Sequence, residues 1–102
     1  MGDQPRYVLC RELRERAELH GETASILHQA ALAAESGHCA GALRFQSCHH
    51  RIRSMECNAR ADALGQDGYE AHPSLLSLLL GESLVERGAL RAEVTTRRKY
   101  QQ

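Results

Sequence analysis

The sequence predicts an all-α domain: small and apolar residues recur at alternating spacings of three and four, glycines interrupt this pattern, and leucine is concentrated towards the C-terminal end. The spacing runs through Cys10, Leu13, Ala17, His20, Ala24, Leu27, Ala31, Ala34, His38, Gly41, Phe45, Cys48, Ile52, Met55 and Ala59. Residues at such spacings share one face of an α-helix, so most of the chain is predicted to be helical. Many of the positions hold Ala, His, Cys or Gly, which favours close helix packing or a partner that covers the stripe.

Three helices are predicted, at about residues 5–35, 38–64 and 73–97. Pro5 suits the first turn of a helix, where the missing N–H costs nothing. Gly37 has the position typical of a C-terminal cap. The run Gly65-Gln66-Asp67-Gly68 is the clearest break, and Pro73 begins the third helix.

The 102 residues are predicted to form a single domain, a three-helix antiparallel bundle that self-associates. A turn at Gly37 would pair residues of the first two helices whose numbers sum to about 74, which sets Leu27 beside Ser47 and Ala24 beside His50. The alternative is one long helical rod over residues 5–64 followed by the third helix, because the spacing keeps its phase through Gly37.

Charge and hydropathy exclude several classes of function. Thirteen basic and thirteen acidic residues cancel, so no global field attracts nucleic acid or an anionic membrane. The longest apolar run, Leu75 to Leu80, is far shorter than the roughly 20 residues of a membrane span. Without a signal-like segment at the N-terminus, the protein is predicted to be cytoplasmic, with its four cysteines as free thiols.

Local charge predicts how the helices pair. Residues 1–36 contain six acidic and four basic side chains, whereas residues 38–64 contain four basic and two acidic ones. The first two helices are therefore expected to attract each other. On the first helix Glu15, Glu18 and Glu22 are interpreted as a solvated face, and on the second Glu56 and Arg60 have the favourable order for an ion pair one turn apart.

Six histidines and four cysteines raise the question of a metal site. Cys39, Cys48 and Cys57 are nine residues apart, so neighbours in the series alternate between opposite faces of a helix. The sequence has no pair of cysteines at zinc-type spacing, and a site would have to form between helices, for example from His20, His49 and a cysteine. We therefore predict no metal and no cofactor.

His20, His38 and His49 lie on or beside the apolar stripe, where a neutral imidazole needs a hydrogen-bond partner. They either form a polar layer that fixes the register or senses pH, or are ordinary core residues with satisfied hydrogen bonds. The sequence contains no nucleophile signature and no phosphate-binding glycine loop, so the protein is predicted not to be an enzyme.

The leucine-rich start of the third helix carries the functional prediction. It is apolar nearly all round, so it must be covered on more than one side. We predict a coiled-coil-like protein-binding module, an adaptor, chaperone or antagonist that forms a homodimer. The predicted contact residues are Leu76, Leu79, Leu80, Leu84, Arg44 and Arg51. The alternative is a metal- or redox-responsive helical protein that uses Cys39, Cys48, His49, His50 and Cys57.

Overall fold

Three α-helices make up nearly all of the described chain. The computed structural model describes residues 5–66 and 73–101, in which the helices are α1 (Pro5–Ala33), α2 (Gly37–Leu64) and α3 (Pro73–Gln101). The prediction of an all-α bundle is confirmed, and α3 extends four residues beyond its predicted end. The predicted break after α2 begins at Gly65, while its last two residues, 67 and 68, lie outside the described part.

The chain reverses direction between α1 and α2, so the rod alternative is wrong. Ser36 is the N-cap of α2: its backbone is extended, with φ −92° and ψ 127°, and its hydroxyl accepts a hydrogen bond of 3.4 Å from the backbone N–H of Cys39. This bond satisfies one of the amide groups that a helix start leaves unpaired. Gly37 is therefore the first residue of α2 and not the cap of α1 that the sequence predicted.

Small and hydroxyl-bearing residues set the register of α1 against α2. Three small side chains donate to backbone carbonyl oxygens of the facing helix: Cys10 to Ala61 at 3.5 Å, Ser54 to Ala17 at 2.7 Å, and Ser47 to Ala24 at 2.7 Å. The two residue numbers in every pair sum to 71. The predicted sum of 74 was wrong because the turn is centred before Gly37, so Ser47 lies against Ala24 and not Leu27.

The apolar stripe is buried in α1 but not in α2. Its α1 members Leu13, Ala17, His20, Ala24, Leu27 and Ala31 are buried. In α2 the exposed residues include Phe45, Cys48, Ile52, Met55 and Ala59, whereas Ala40, Ser47, Cys57, Ala61 and Leu64 are buried. The non-helical turn shifts the rotational phase of the second helix, and the small face of α2 allows the two backbones to approach closely enough for the serine–carbonyl bonds.

The third helix packs on α1 and runs in the same direction. Its buried residues are Leu76, Ser83, Leu90 and Val94. Within the described residues, α2 and α3 have no Cα atoms within 8 Å of each other, so α1 lies between them. The molecule is elongated, measuring 53 × 23 × 16 Å, and a wedge opens between α2 and α3 above the central helix.

The acidic side chains of α1 pair with arginines of α3, not with arginines of α2 as the sequence predicted. Arg87 of α3 lies 2.9 Å from Glu12 and 3.1 Å from Glu15, and Arg98 lies 2.8 Å from Glu22. Glu15 and Glu22 are therefore ion-paired rather than merely solvated.

Between α1 and α2 the charges are reversed relative to the prediction. Here Arg14 of α1 forms an ion pair with Asp62 of α2. Its guanidinium also donates a hydrogen bond of 2.9 Å to the side-chain oxygen of Asn58. Glu56 pairs with Arg53 at 3.2 Å rather than with Arg60. The predicted attraction of the first two helices thus failed because net charge per segment does not say which face each charged residue occupies.

Candidate protein-binding site

The four leucines predicted to contact a partner have different environments. Leu76 is buried, and Leu79 and Leu80 are half-buried against the core of the bundle. These three side chains stabilise the fold itself. Leu84 is exposed on α3, and the two predicted arginines, Arg44 and Arg51, are exposed on α2.

The outer face of α2 is apolar and uncovered. We define the outer α2 face as Gly41, Phe45, Cys48, Ile52, Met55 and Ala59. Phe45, Ile52 and Met55 are 76%, 54% and 70% exposed. The face spans 19 residues, and its ends are about 27 Å apart at a rise of 1.5 Å per residue. The spacing predicted that these residues share one stripe, to be covered either by close helix packing or by a partner.

The outer face of α3 carries a second exposed apolar patch. Leu78 and Val85 are 61% and 74% exposed and, with Ser77 and Gly81, line a shallow depression. Glu82 and Glu86 lie at its edge. Large exposed apolar patches on small proteins are typical of interaction surfaces.

A groove lies between α2 and α3, with α1 as its floor. We call it the α2–α3 groove; its volume is about 330 Å³. It is lined by Leu9, Leu13, Arg16, Arg53, Arg60, Ala63, Leu64, Leu79, Glu82 and Glu86. Sequence analysis missed this site, since it exists only because α2 and α3 lie apart.

Arg16 is the buried charge at the floor of the α2–α3 groove. Its guanidinium pairs with Glu86, and its Nη1 donates to the hydroxyl of Ser83 at 3.3 Å. A buried cation needs such partners, because desolvation is costly unless the charge is compensated. The Nε of Arg16 is buried without a hydrogen-bond partner.

A histidine pair connects α1 and α2 near the middle of the bundle. The Nδ1 atoms of His20 and His50 are 2.9 Å apart, so one ring donates and the other accepts. Burial lowers the pKa of His20 to about 4, with further lowering by the charges of His50, Arg16 and Arg53. Sequence analysis named His20 as a buried histidine but did not find its partner.

The environment of His50 also lowers the pKa of its imidazole. Burial lowers its pKa, while the nearby carboxylate of Glu93 opposes this effect. His49 and the guanidinium groups of Arg97 and Arg53 lower the pKa further. Both imidazoles are therefore neutral at pH 7.

The cysteines do not converge on this histidine pair. Cys39 and Cys48 are exposed, Cys10 is half-buried, and Cys57 is buried in the core. Across residues 5–66 and 73–101, no three His, Cys, Asp or Glu side chains are close enough together to hold a metal ion. The metal- or redox-responsive alternative therefore has no assembled metal site in the part of the chain that the structure describes.

The fold defines an all-α bundle with apolar outer surfaces on both flanking helices. No protein-family model matches the sequence, and neither the curated proteins nor the solved structures contain a significant match. No helix within the described ranges is both long and apolar enough to cross a lipid bilayer.

Proposed function

We propose that this protein is a small helical protein-binding module that self-associates through the outer α2 face. One observation carries the proposal: Phe45, Ile52 and Met55 are exposed along one side of α2, opposite the face that packs on α1. A monomer that leaves three large apolar side chains in line gains free energy by covering them, at roughly 25 cal/mol per Å² of apolar area.

The accessible surface of the chain supports an interaction role. It measures 6971 Å², whereas a compact monomer of this mass is expected to expose about 5,700 Å². Among the described residues, the large apolar side chains exposed on α2 and α3 contribute to this area. Association would remove part of this additional surface from water.

The pattern of the outer α2 face favours a second copy of the same chain as the partner. The large residues of this face are interspersed with the small residues Gly41, Cys48 and Ala59, so the face has both protruding side chains and gaps. In a twofold antiparallel pair centred on Ile52, Phe45 of one copy lies against Ala59 of the second copy. A twofold interface needs only one self-complementary patch.

The outer α3 patch then remains available to a different protein. Leu78 and Val85 point away from the α1 contact, and Leu84 lies at the edge of this surface. A dimer would present two such patches, which suits an adaptor or antagonist. A cytoplasmic location, and the absence of a nucleic-acid or catalytic role, stay predictions from the sequence.

Light scattering during size-exclusion chromatography tests self-association. At micromolar concentration we expect about twice the monomer mass of 11.3 kDa. The double variant Phe45→Ser/Ile52→Ser should be monomeric, because it removes the apolar side chains at the centre of the interface. The matched control Leu78→Ser/Val85→Ser should remain dimeric. A monomeric wild type, or a dimer lost only in the control, would refute the proposed interface.

A further inference from the structure

We propose that the α2–α3 groove is a second binding site, separate from the outer α2 face, which takes an amphipathic helix from another protein. The preferred helix has acidic side chains along one flank of its apolar face and basic side chains along the other. This inference goes beyond self-association and does not depend on it, since no groove-lining residue belongs to the outer α2 face.

The shape of the groove fits the apolar face of a helix. Its α2 wall extends from Arg53 to Leu64, which is about 16 Å of helix axis. A volume of about 330 Å³ lies at the lower end of the range of about 300–1,000 Å³ for ligand sites. The groove therefore has room for a few apolar side chains over Leu9 and Leu13, while the backbone of the bound helix stays outside.

The two walls have opposite charge. The α2 wall contributes Arg53 and Arg60, and the α3 wall contributes Glu82 and Glu86. Arg53 and Glu86 already have ion-pair partners in Glu56 and Arg16. Arg60 and Glu82 are exposed and form no ion pair with another described residue, so each is free to meet an opposite charge on a bound helix.

These walls select against other ligands. A purely anionic molecule would meet the carboxylates of α3, and a purely cationic one would meet the guanidinium groups of α2. A helix with both signs on opposite flanks satisfies both walls in one of its two directions along the groove. The wall charges therefore also fix the direction of the bound helix.

The Arg16–Glu86 ion pair makes the floor of the groove polar at one point. The Arg16 side chain is more than nine-tenths buried, whereas the Glu86 side chain is about half exposed. The group that a bound helix can reach at this point is therefore the Glu86 carboxylate, which adds to the negative charge of the α3 wall.

Three synthetic helices of about 18 residues, or five turns, test the charge pattern by fluorescence anisotropy. All three carry the same leucine face; their flanks are Glu and Lys, Glu and Glu, or Lys and Lys. We expect the Glu/Lys peptide to bind most tightly, by about fivefold for each mismatched flank. Arg60→Glu should transfer the preference to the Lys/Lys peptide, and Glu82→Arg to the Glu/Glu peptide.

A second pair of variants tests the location. Ala63→Phe fills the groove and should abolish binding of every peptide, while Ala92→Phe, a matched change at an exposed position of α3, should leave binding unchanged. Circular dichroism checks that the variants stay folded. The proposal is overturned if no peptide binds at millimolar concentration, if Ala63→Phe has no effect, if the charge variants do not shift the preference, or if Ile52→Ser removes binding.

Discussion

The hydroxyl of Ser47 donates a 2.7 Å hydrogen bond to the backbone carbonyl oxygen of Ala24 on the neighbouring helix. Ser54 makes the same bond to Ala17, seven residues away on both helices. A short serine side chain reaches a facing backbone only if the two helices lie very close together. Small residues at this seven-residue repeat therefore determine both the separation and the register of α1 and α2.

Replacing Ser47 with Leu should destabilise the protein strongly. The larger side chain cannot fit between the two backbones, and the hydrogen bond to Ala24 is lost. Overpacking of this kind costs about 1–3 kcal/mol, with about 1 kcal/mol more for the bond. Urea denaturation followed by circular dichroism measures the loss. Gln46→Leu, at the adjacent exposed position, should change the stability by less than about 0.5 kcal/mol; equal losses would contradict the proposed packing.

The free energy of unfolding should fall as the pH drops from about 6.5 to 4. The folded-state pKa of His20 is lowered to about 4 from an ordinary value of 6.5, so over this range the unfolded chain binds a proton that the folded chain does not. The effect is absent above pH 7 and reaches at most about 3 kcal/mol near pH 4. Denaturation midpoints measured across this range give the slope.

His20→Leu should remove much of this pH dependence. The other ionisable groups are common to both proteins, so the informative quantity is the difference in stability between wild type and variant at each pH. That difference should move in favour of the variant as the solution is acidified. The control His28→Leu changes an exposed histidine of α1. If the stability of His20→Leu fell with pH in parallel with that of the wild type, the histidine pair would not be the cause of the pH dependence.

The ion pairs between α1 and α3 should contribute unequally. Arg87 and Glu12 are mostly shielded from solvent, whereas Arg98 and Glu22 are largely exposed. We expect Arg87→Ala to cost about 1–2 kcal/mol and Arg98→Ala less than about 0.5 kcal/mol, because solvent screens exposed pairs. Thermal denaturation of each variant at low and high salt distinguishes the contribution of the Arg87 pair from that of the Arg98 pair. Losses of equal size would show that burial does not strengthen the Arg87 pair.

Gly21→Ala should stabilise the protein. Gly21 lies in the interior of α1, and an added Cβ would meet no side chain or neighbouring backbone within 4 Å. Alanine restricts the unfolded chain, and the expected gain is about 0.5–1 kcal/mol. Gly37→Ala is equally free of contacts but lies at the first position of α2, so we expect a smaller gain there. Loss of stability in Gly21→Ala would mean that the position is more crowded than the structure indicates.

The helices could be predicted from the sequence, but which side of α2 packs against α1 could not. In α1 the spacing and the burial agree, because Leu13 and Leu27 are also the largest apolar side chains on their face. In α2 two stripes compete, one through Phe45 and Ile52 and one through Ser47. Hydropathy favours the first stripe, whereas the fit of small side chains against the alanines of α1 decides for the second.

The positions of the candidate surfaces follow from which stripe of α2 is buried. The predicted stripe, which was to be covered by helix packing or by a partner, forms the exposed outer α2 face at Met55 and its neighbours. Leu76 was expected to meet a partner and is part of the core. The α2–α3 groove could not be predicted, because it depends on the distance between α2 and α3, and neither local spacing nor composition encodes that distance.

The central position of α1 has a consequence for how the molecule opens. Among the described residues, Cα atoms of α3 come within 8 Å of those of α1 but not of those of α2. Release of α3 would therefore leave the α1 and α2 helices paired, whereas release of α1 would separate all three helices. Backbone amides of α3 should therefore exchange with deuterium through a partial opening that needs less free energy than global unfolding. Amides of α1 and α2 near Ala24 and Ser47 should exchange last, so the protein is expected to have two levels of protection along a single small chain.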